Sequence, residues 1–163
     1  MIKRVGDWDK VARVISNLSS EMQKAQIQSL QQWGLKAEAL AVGHMSTQDL
    51  GWEELKASTI ASKVRKGQSE NILIATSSYF GSITSWVDKG TSTVYAGVRR
   101  TERDKDGNII ADIAKLHEYG SSARGVPARP LWQPTLDELS EWFPKSKSRP
   151  SEIFIKNIKK YAI

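Results

Sequence analysis

Cysteine is absent from the 163 residues, so no disulfide, thiolate nucleophile or cysteine-bound metal can form and the fold must rest on packing. Long apolar runs are missing as well. None approaches the ~20 residues that cross a bilayer, and the opening MIKRVGDWDK lacks the apolar core of a signal peptide. A soluble protein made in a cytoplasm is the expectation. Histidine is down to two, His44 and His117. The pair His117-Glu118 looks like the start of a zincin helix, but the position where the second histidine is due holds Ser121. No GxSxG elbow surrounds any serine, and no glycine-rich loop runs into Lys-Ser or Lys-Thr. No metal, no cofactor and no enzymatic activity are expected.

What is present fits one domain, since 39% hydrophobic content over this length can bury a single core. Lys plus Arg number 24 against 18 Asp plus Glu, a net +6. Much of that excess follows Pro144, where Lys145, Lys147, Arg149, Lys156, Lys159 and Lys160 face only Glu152. Such a segment attracts a phosphate backbone or an acidic protein surface, and the attraction weakens with salt. A solvated cationic face that aids solubility is the plainer reading.

Asp7 is a good N-cap, and apolar residues from Trp8 through Val11, Ile15, Leu18, Met22, Ala25, Leu30, Trp33, Ala37 and Leu40 fall mostly three or four apart. One long amphipathic helix to about Val42, bent near Gly34, is expected. Its Gln-rich stretch, Gln23 to Gln32, is poorly charged for a face that meets only solvent. Gly43 to Gly51 reads as a loop. Ser58 is placed to cap a helix from Thr59 to Lys66 that Gly67 ends. SITSWVD and STVYAGV then alternate, with DKGT between them, predicting a β-hairpin over 82–98 whose turn needs a positive φ at Gly90. The charged stretch RRTERDKDGNIIAD reads as an exposed extension of the hairpin or a flexible loop. IAKLHEYG suits a short helix or a bent strand, SSARGVPARP a loop, and PTLDELSEWF a helix with Pro134 in its first turn and Asp137 and Glu138 near its positive end. In EIFIKNIKKYAI, Ile155, Ile158 and Ala162 share one helical face, although IFI could equally start a strand. The tryptophans suit packing better than stacking on bases.

Two stretches carry a resemblance. GWEELKASTIASKVRKGQSENILIATSSYFGSI and LHEYGSSARGVPARPLWQPTLDE resemble, in this order, the two signatures of the phage virion-morphogenesis and tail-completion proteins. The likeness spans roughly residues 50 to 140. The chain departs from the pattern at Thr76-Ser77, where Thr-Gly is usual, at Leu131-Trp132, where Phe follows Ala-Arg-Pro, and by the insert from Arg99 to Asp112. The resemblance implies one tail-completion-like domain: an N-terminal helix over 1–43, a core over 44–143 and a basic segment over 144–163. It implies a structural subunit of a tailed-phage virion at the head–tail junction, assembled in the host cytoplasm as a ring, expected to be of six copies. Its partners would be neighbouring connector or stopper and tail-tube or terminator proteins, with DNA in the lumen.

The motif's stiffness suits assembly, because Pro127 and Pro130 hold Val126 and Arg129 extended before the helix begins. His117, Glu118, Tyr119, Gly120, Pro127, Arg129, Pro130 and Trp132 are the candidate subunit-interface residues. Arg129 is expected to fork onto a carboxylate, with Glu118 nearest in sequence, and to anchor either the loop's own conformation or a contact with the next subunit. The lysines and arginine after Pro144 are candidates for DNA or an acidic surface, and a basic nucleic-acid-binding protein is the alternative function. The expected fold is α+β, a long N-terminal helix and further helices packed on a small antiparallel sheet.

Overall fold

Asp7 caps the longest element by accepting a hydrogen bond from the Lys10 N–H at 3.1 Å. In this computed structural model, which describes residues 6–159 and 161, helix α1 (Trp8–Thr47) runs 40 residues, roughly 60 Å at 1.5 Å per residue. It does not stop at Val42. It continues through Gly43 and ends at Gln48, which takes φ +59°. A glycine inside a helix costs about 1 kcal/mol, and burial of Met45 two residues further on outweighs it, so the loop expected from Gly43 begins only after Thr47.

Helix α2 (Ala57–Arg65) starts two residues before the Thr59 expected, with Lys56 at the cap and no side-chain cap bond, so Ser58 lies inside it rather than capping it. Gly67 follows in the left-handed region, as its place after the helix predicts. A short helix α3 (Ser78–Ser82) leads into strand β1 (Ile83–Asp88), which pairs antiparallel with β2 (Thr93–Val98). The hairpin is where alternation put it, and Trp86 sits opposite Tyr95 in register. Its turn differs from expectation. Ser92, not Gly90, has the positive φ, because the Asp88 carboxylate organises the loop by accepting from the N–H groups of Gly90 at 2.8 Å and Thr91 at 3.3 Å.

The charged stretch after the hairpin folds back on itself. Asp104 accepts from the N–H groups of Asp106 and Asn108, and Arg103 bridges to Ile109. Helix α4 (Ile110–Tyr119) begins within the supposed insert, Ser122–Arg124 forms one 3₁₀ turn, and helix α5 (Trp132–Trp142) carries Pro134 in its first turn. Helix α6 (Pro150–Lys159) makes IFI part of a helix, not the start of a strand.

The fold is α+β: a long N-terminal helix, further helices and one two-stranded antiparallel sheet. Helix α1 is the spine, contacted by β1, β2, α5 and α6. Gly34 lies in the unbroken helix, and a Cβ there would meet the Cβ of Ser85 at 2.9 Å, so the glycine lets the hairpin lie directly on α1 rather than bending it. The core joins Ala41 and Met45 of α1 to Trp52, Tyr79, Ile83, Ile110, Ala114 and Leu131. Among the described residues no helix is long and apolar enough to cross a membrane.

Candidate assembly surfaces and the brace from His117 to Trp132

The segment from His117 to Trp132 is held by backbone contacts that its sequence dictates only in part. Gly120 turns the chain at the end of α4 with φ +68°, and a Cβ there would stand 2.7 Å from the Ala128 nitrogen and 2.9 Å from the Val126 carbonyl oxygen. Only glycine fits such a crossing. The chain then closes on itself, with Ser121 and Val126 exchanging N–H to carbonyl bonds at 2.8 and 3.0 Å.

Glu118 and Arg129 do not pair with each other. The Glu118 carboxylate reaches the amino end of α5, accepting from the N–H groups of Leu131 at 2.8 Å, Trp132 at 3.1 Å and Gln133 at 3.3 Å. It supplies the negative charge that the first turn of α5 lacks, a place in which Asp137 and Glu138 were expected. Arg129 is only 6% exposed, and its Nε and Nη2 both donate to the Glu53 carbonyl, at 3.1 and 2.9 Å. Its fork is thereby spent within the chain. Of the two roles expected for Arg129, the loop's own anchor is the one these contacts serve, with the Glu53 carbonyl in place of the expected Glu118 carboxylate. The Arg129 N–H also donates to the His117 carbonyl at 2.7 Å, and Trp52 Nε1 donates to the Pro130 carbonyl at 2.9 Å.

The remaining motif residues are more accessible. Tyr119 is 75% exposed, and Pro130 is exposed. Both line, with half-buried Trp132, a groove of about 590 Å³ edged by Leu136. Pro127 is half-buried.

His117 lines a different cavity, together with Lys63 and Arg129. Burial, with the positive charges of Arg129 and Lys63, holds the His117 imidazole below its ordinary pKa. Burial and Arg129 likewise lower the Lys63 ammonium, and burial pushes up the Tyr79 phenol. His44 lies in α1 and not in a loop, with its Nδ1 2.9 Å from Asp49 and its Nε2 3.6 Å from Glu138. The two histidines face different neighbours. Among the described residues no group of three or more His, Asp or Glu could hold a metal ion.

Two surfaces stand out. No residue from Trp8 to Ser20 is buried, so the amino-terminal part of α1 carries Trp8, Val11, Ile15, Leu18 and Met22 exposed, three and four residues apart in strict alternation. The helical face that the sequence marks as apolar is core only further along, at Ala25, Ala37, Ala41 and Met45. The second surface is basic. Lys145, Lys147, Lys156 and Lys159 are exposed, whereas Arg149 pairs with Glu152 at 2.8 Å. Lys160 and Ala162 lie outside the described residues. Helix α6 is docked on α1 through buried Ile153 and a hydrogen bond from Ser29 Oγ to the Ser148 carbonyl. Ile155, expected on the packed face with Ile158, points outward instead.

No family model, curated protein or solved structure matches the chain. Sequence alone did not mark the partners: the Glu53 carbonyl and the α5 amides, or the residues Gln48 and Lys63. Lys63 carried a signal, since it falls three residues after Ile60 on the inner side of α2. Gln48, which ties Ile72 down through both its amide atoms, carried none.

Proposed function

We propose that the protein is a structural subunit of a tailed-phage virion, a tail-completion, terminator or neck protein that assembles into a ring at the head–tail junction. The observation that carries this reading is the interlock of the two stretches that resemble that family. Trp52 and Glu53, from the first, receive or hold Pro130 and Arg129, from the second, across more than seventy positions. The residues that make the resemblance specific are thereby the ones that join the two halves of the core. Ser77 adds support: it stands where the resembled pattern has glycine, and its φ is +63°, a conformation glycine adopts without strain.

The exposed stripe on α1 fits the same reading. Apolar residues in 3–4 alternation form the seam that pairs one helix with another, and an exposed apolar stripe of this length marks an interaction surface. The neighbours would be further copies of this chain, then connector or stopper and tail-tube proteins. Mass measurement of the purified protein under native conditions tests the reading: a closed ring, expected to be of about six copies, supports it, and a monomer at all concentrations removes it.

A second reading, binding of nucleic acid, has one observation in its favour. Lys147, Lys156 and Lys159 line a single groove of about 840 Å³ with Gln28, Gln31 and Gln32 of α1. Lysines beside amide side chains suit a phosphate backbone. Salt-dependent binding of duplex DNA by a protein that stays monomeric would favour this reading over the first.

A further inference from the structure

The cavity beside the brace measures about 390 Å³, and its walls include Leu55, Leu73, Ile74, Ile110 and Ile113. Lys63, His117 and Arg129 line the same space. Lys63 is buried, and its Nζ donates to the carbonyls of Asn71 at 2.6 Å and Ile74 at 2.9 Å. Arg129 is buried too and donates to the Glu53 carbonyl. Carbonyl dipoles orient these cations without neutralising them. Neither has a carboxylate within ion-pair distance among the described residues.

The acidic groups nearby are engaged elsewhere or distant. Asp104 lines the cavity, but its carboxylate accepts from the backbone of Asp106 and from the backbone and side chain of Asn108. Glu70 acts on Lys63 through its field alone. The third basic group is also unfinished, since His117 Nδ1 is buried with no hydrogen-bond partner among the described residues. Two cations and a histidine thus line one largely apolar space, an arrangement that burial disfavours until an anion enters.

We infer that this cavity binds a carboxylate carried on an apolar body, with the carboxylate among Lys63, Arg129 and His117 and the body against the leucine and isoleucine walls. The apolar lining selects against inorganic phosphate, whose remaining oxygens would lose water to hydrocarbon. The carboxylate can belong to a small molecule or to a side chain of another protein chain. This inference stands apart from the junction reading, since it rests on the cavity alone.

The test titrates the full chain with hexanoate, hexanol and inorganic phosphate, reading the melting temperature and the ring resonances of His117. Hexanoate is expected to raise the melting temperature saturably and to shift the His117 signals, and neither control is expected to do so. Lys63→Met should weaken hexanoate binding about tenfold or more, the loss of one charged contact. Equal responses to hexanol or phosphate, unmoved His117 signals, or unchanged affinity in Lys63→Met would overturn the inference. Should Lys63→Met fail to fold, Ile113→Trp, which fills the cavity from α4, takes its place, and retained binding there is equally fatal. Native mass with and without saturating hexanoate separates the sources: dissociation of an oligomer assigns the carboxylate to a protein chain, and an unchanged mass assigns it to a small molecule.

Discussion

Arg129 places two of its donors on one oxygen, the carbonyl of Glu53, and so ties the stretch before α5 to the stretch before α2. The guanidinium is buried, and no other side-chain hydrogen bond holds it among the described residues. Arg129→Ala is expected to destabilise the isolated chain by about 2–4 kcal/mol, combining a lost charged hydrogen bond with an orphaned carbonyl. Arg129→Lys should recover less than half, because an ammonium cannot reproduce the fork. Urea denaturation of the monomer measures this. A folded, equally stable Arg129→Ala monomer that fails only in assembly would return Arg129 to the interface.

Glu118 caps α5 from another helix. Glu118→Ala leaves the amides of Leu131, Trp132 and Gln133 without their acceptor and is expected to cost about 1–2 kcal/mol, the range of a lost cap. Glu118→Gln keeps one acceptor oxygen and should lose less. Equal denaturation midpoints for all three proteins would contradict the capping role.

Ser77 and Gly120 both sit at positive φ, with opposite consequences for substitution. Ser77→Gly relieves a left-handed serine and should stabilise by roughly 0.5–1 kcal/mol. Gly120→Ala forces a methyl group against the Ala128 backbone and should destabilise by more than about 2 kcal/mol. Differential scanning calorimetry distinguishes the two signs.

His117 predicts an acid-side dependence of stability. Its folded pKa lies below the ordinary 6.5, so above that value both states are neutral and the group contributes nothing. As pH falls through 6.5 the unfolded chain takes up the proton first, and stability declines toward the folded value. His117→Gln should flatten the melting-temperature profile between about pH 7 and about pH 5. Parallel profiles for the two proteins would show that the imidazole titrates alike in both states.

The stripe on the exposed part of α1 predicts a separation of folding from assembly. Ile15→Glu with Leu18→Glu adds charge where no residue is buried, so the melting temperature should change by no more than about 1–2 °C, as for surface substitutions. A ring of the proposed kind should dissociate, because burying two carboxylates across a helix pair is strongly unfavourable. An intact oligomer in sedimentation would place the contact elsewhere, with the groove beside Tyr119 the next surface to alter.

What the residues determined alone was local. Asp7 capping α1, the long 3.6-residue period, the strand alternation around Trp86 and Tyr95, Gly67 ending α2 and Pro134 in the first turn of α5 all follow from steric and hydrogen-bonding preferences within a few positions, and the structure has each of them. Tertiary structure decided everything that depends on who stands opposite. The apolar period of α1 is the same at Ile15 and at Ala37, yet one is 65% exposed and the other buried, because the hairpin and α5 lie over the second half. The same holds for Ile153 against Ile155, and for Glu118, whose amides lie thirteen to fifteen positions away and whose expected partner turned to Glu53. Periodicity marks a face and chemistry marks a donor. Only the packed chain brings the cover and the acceptor to them.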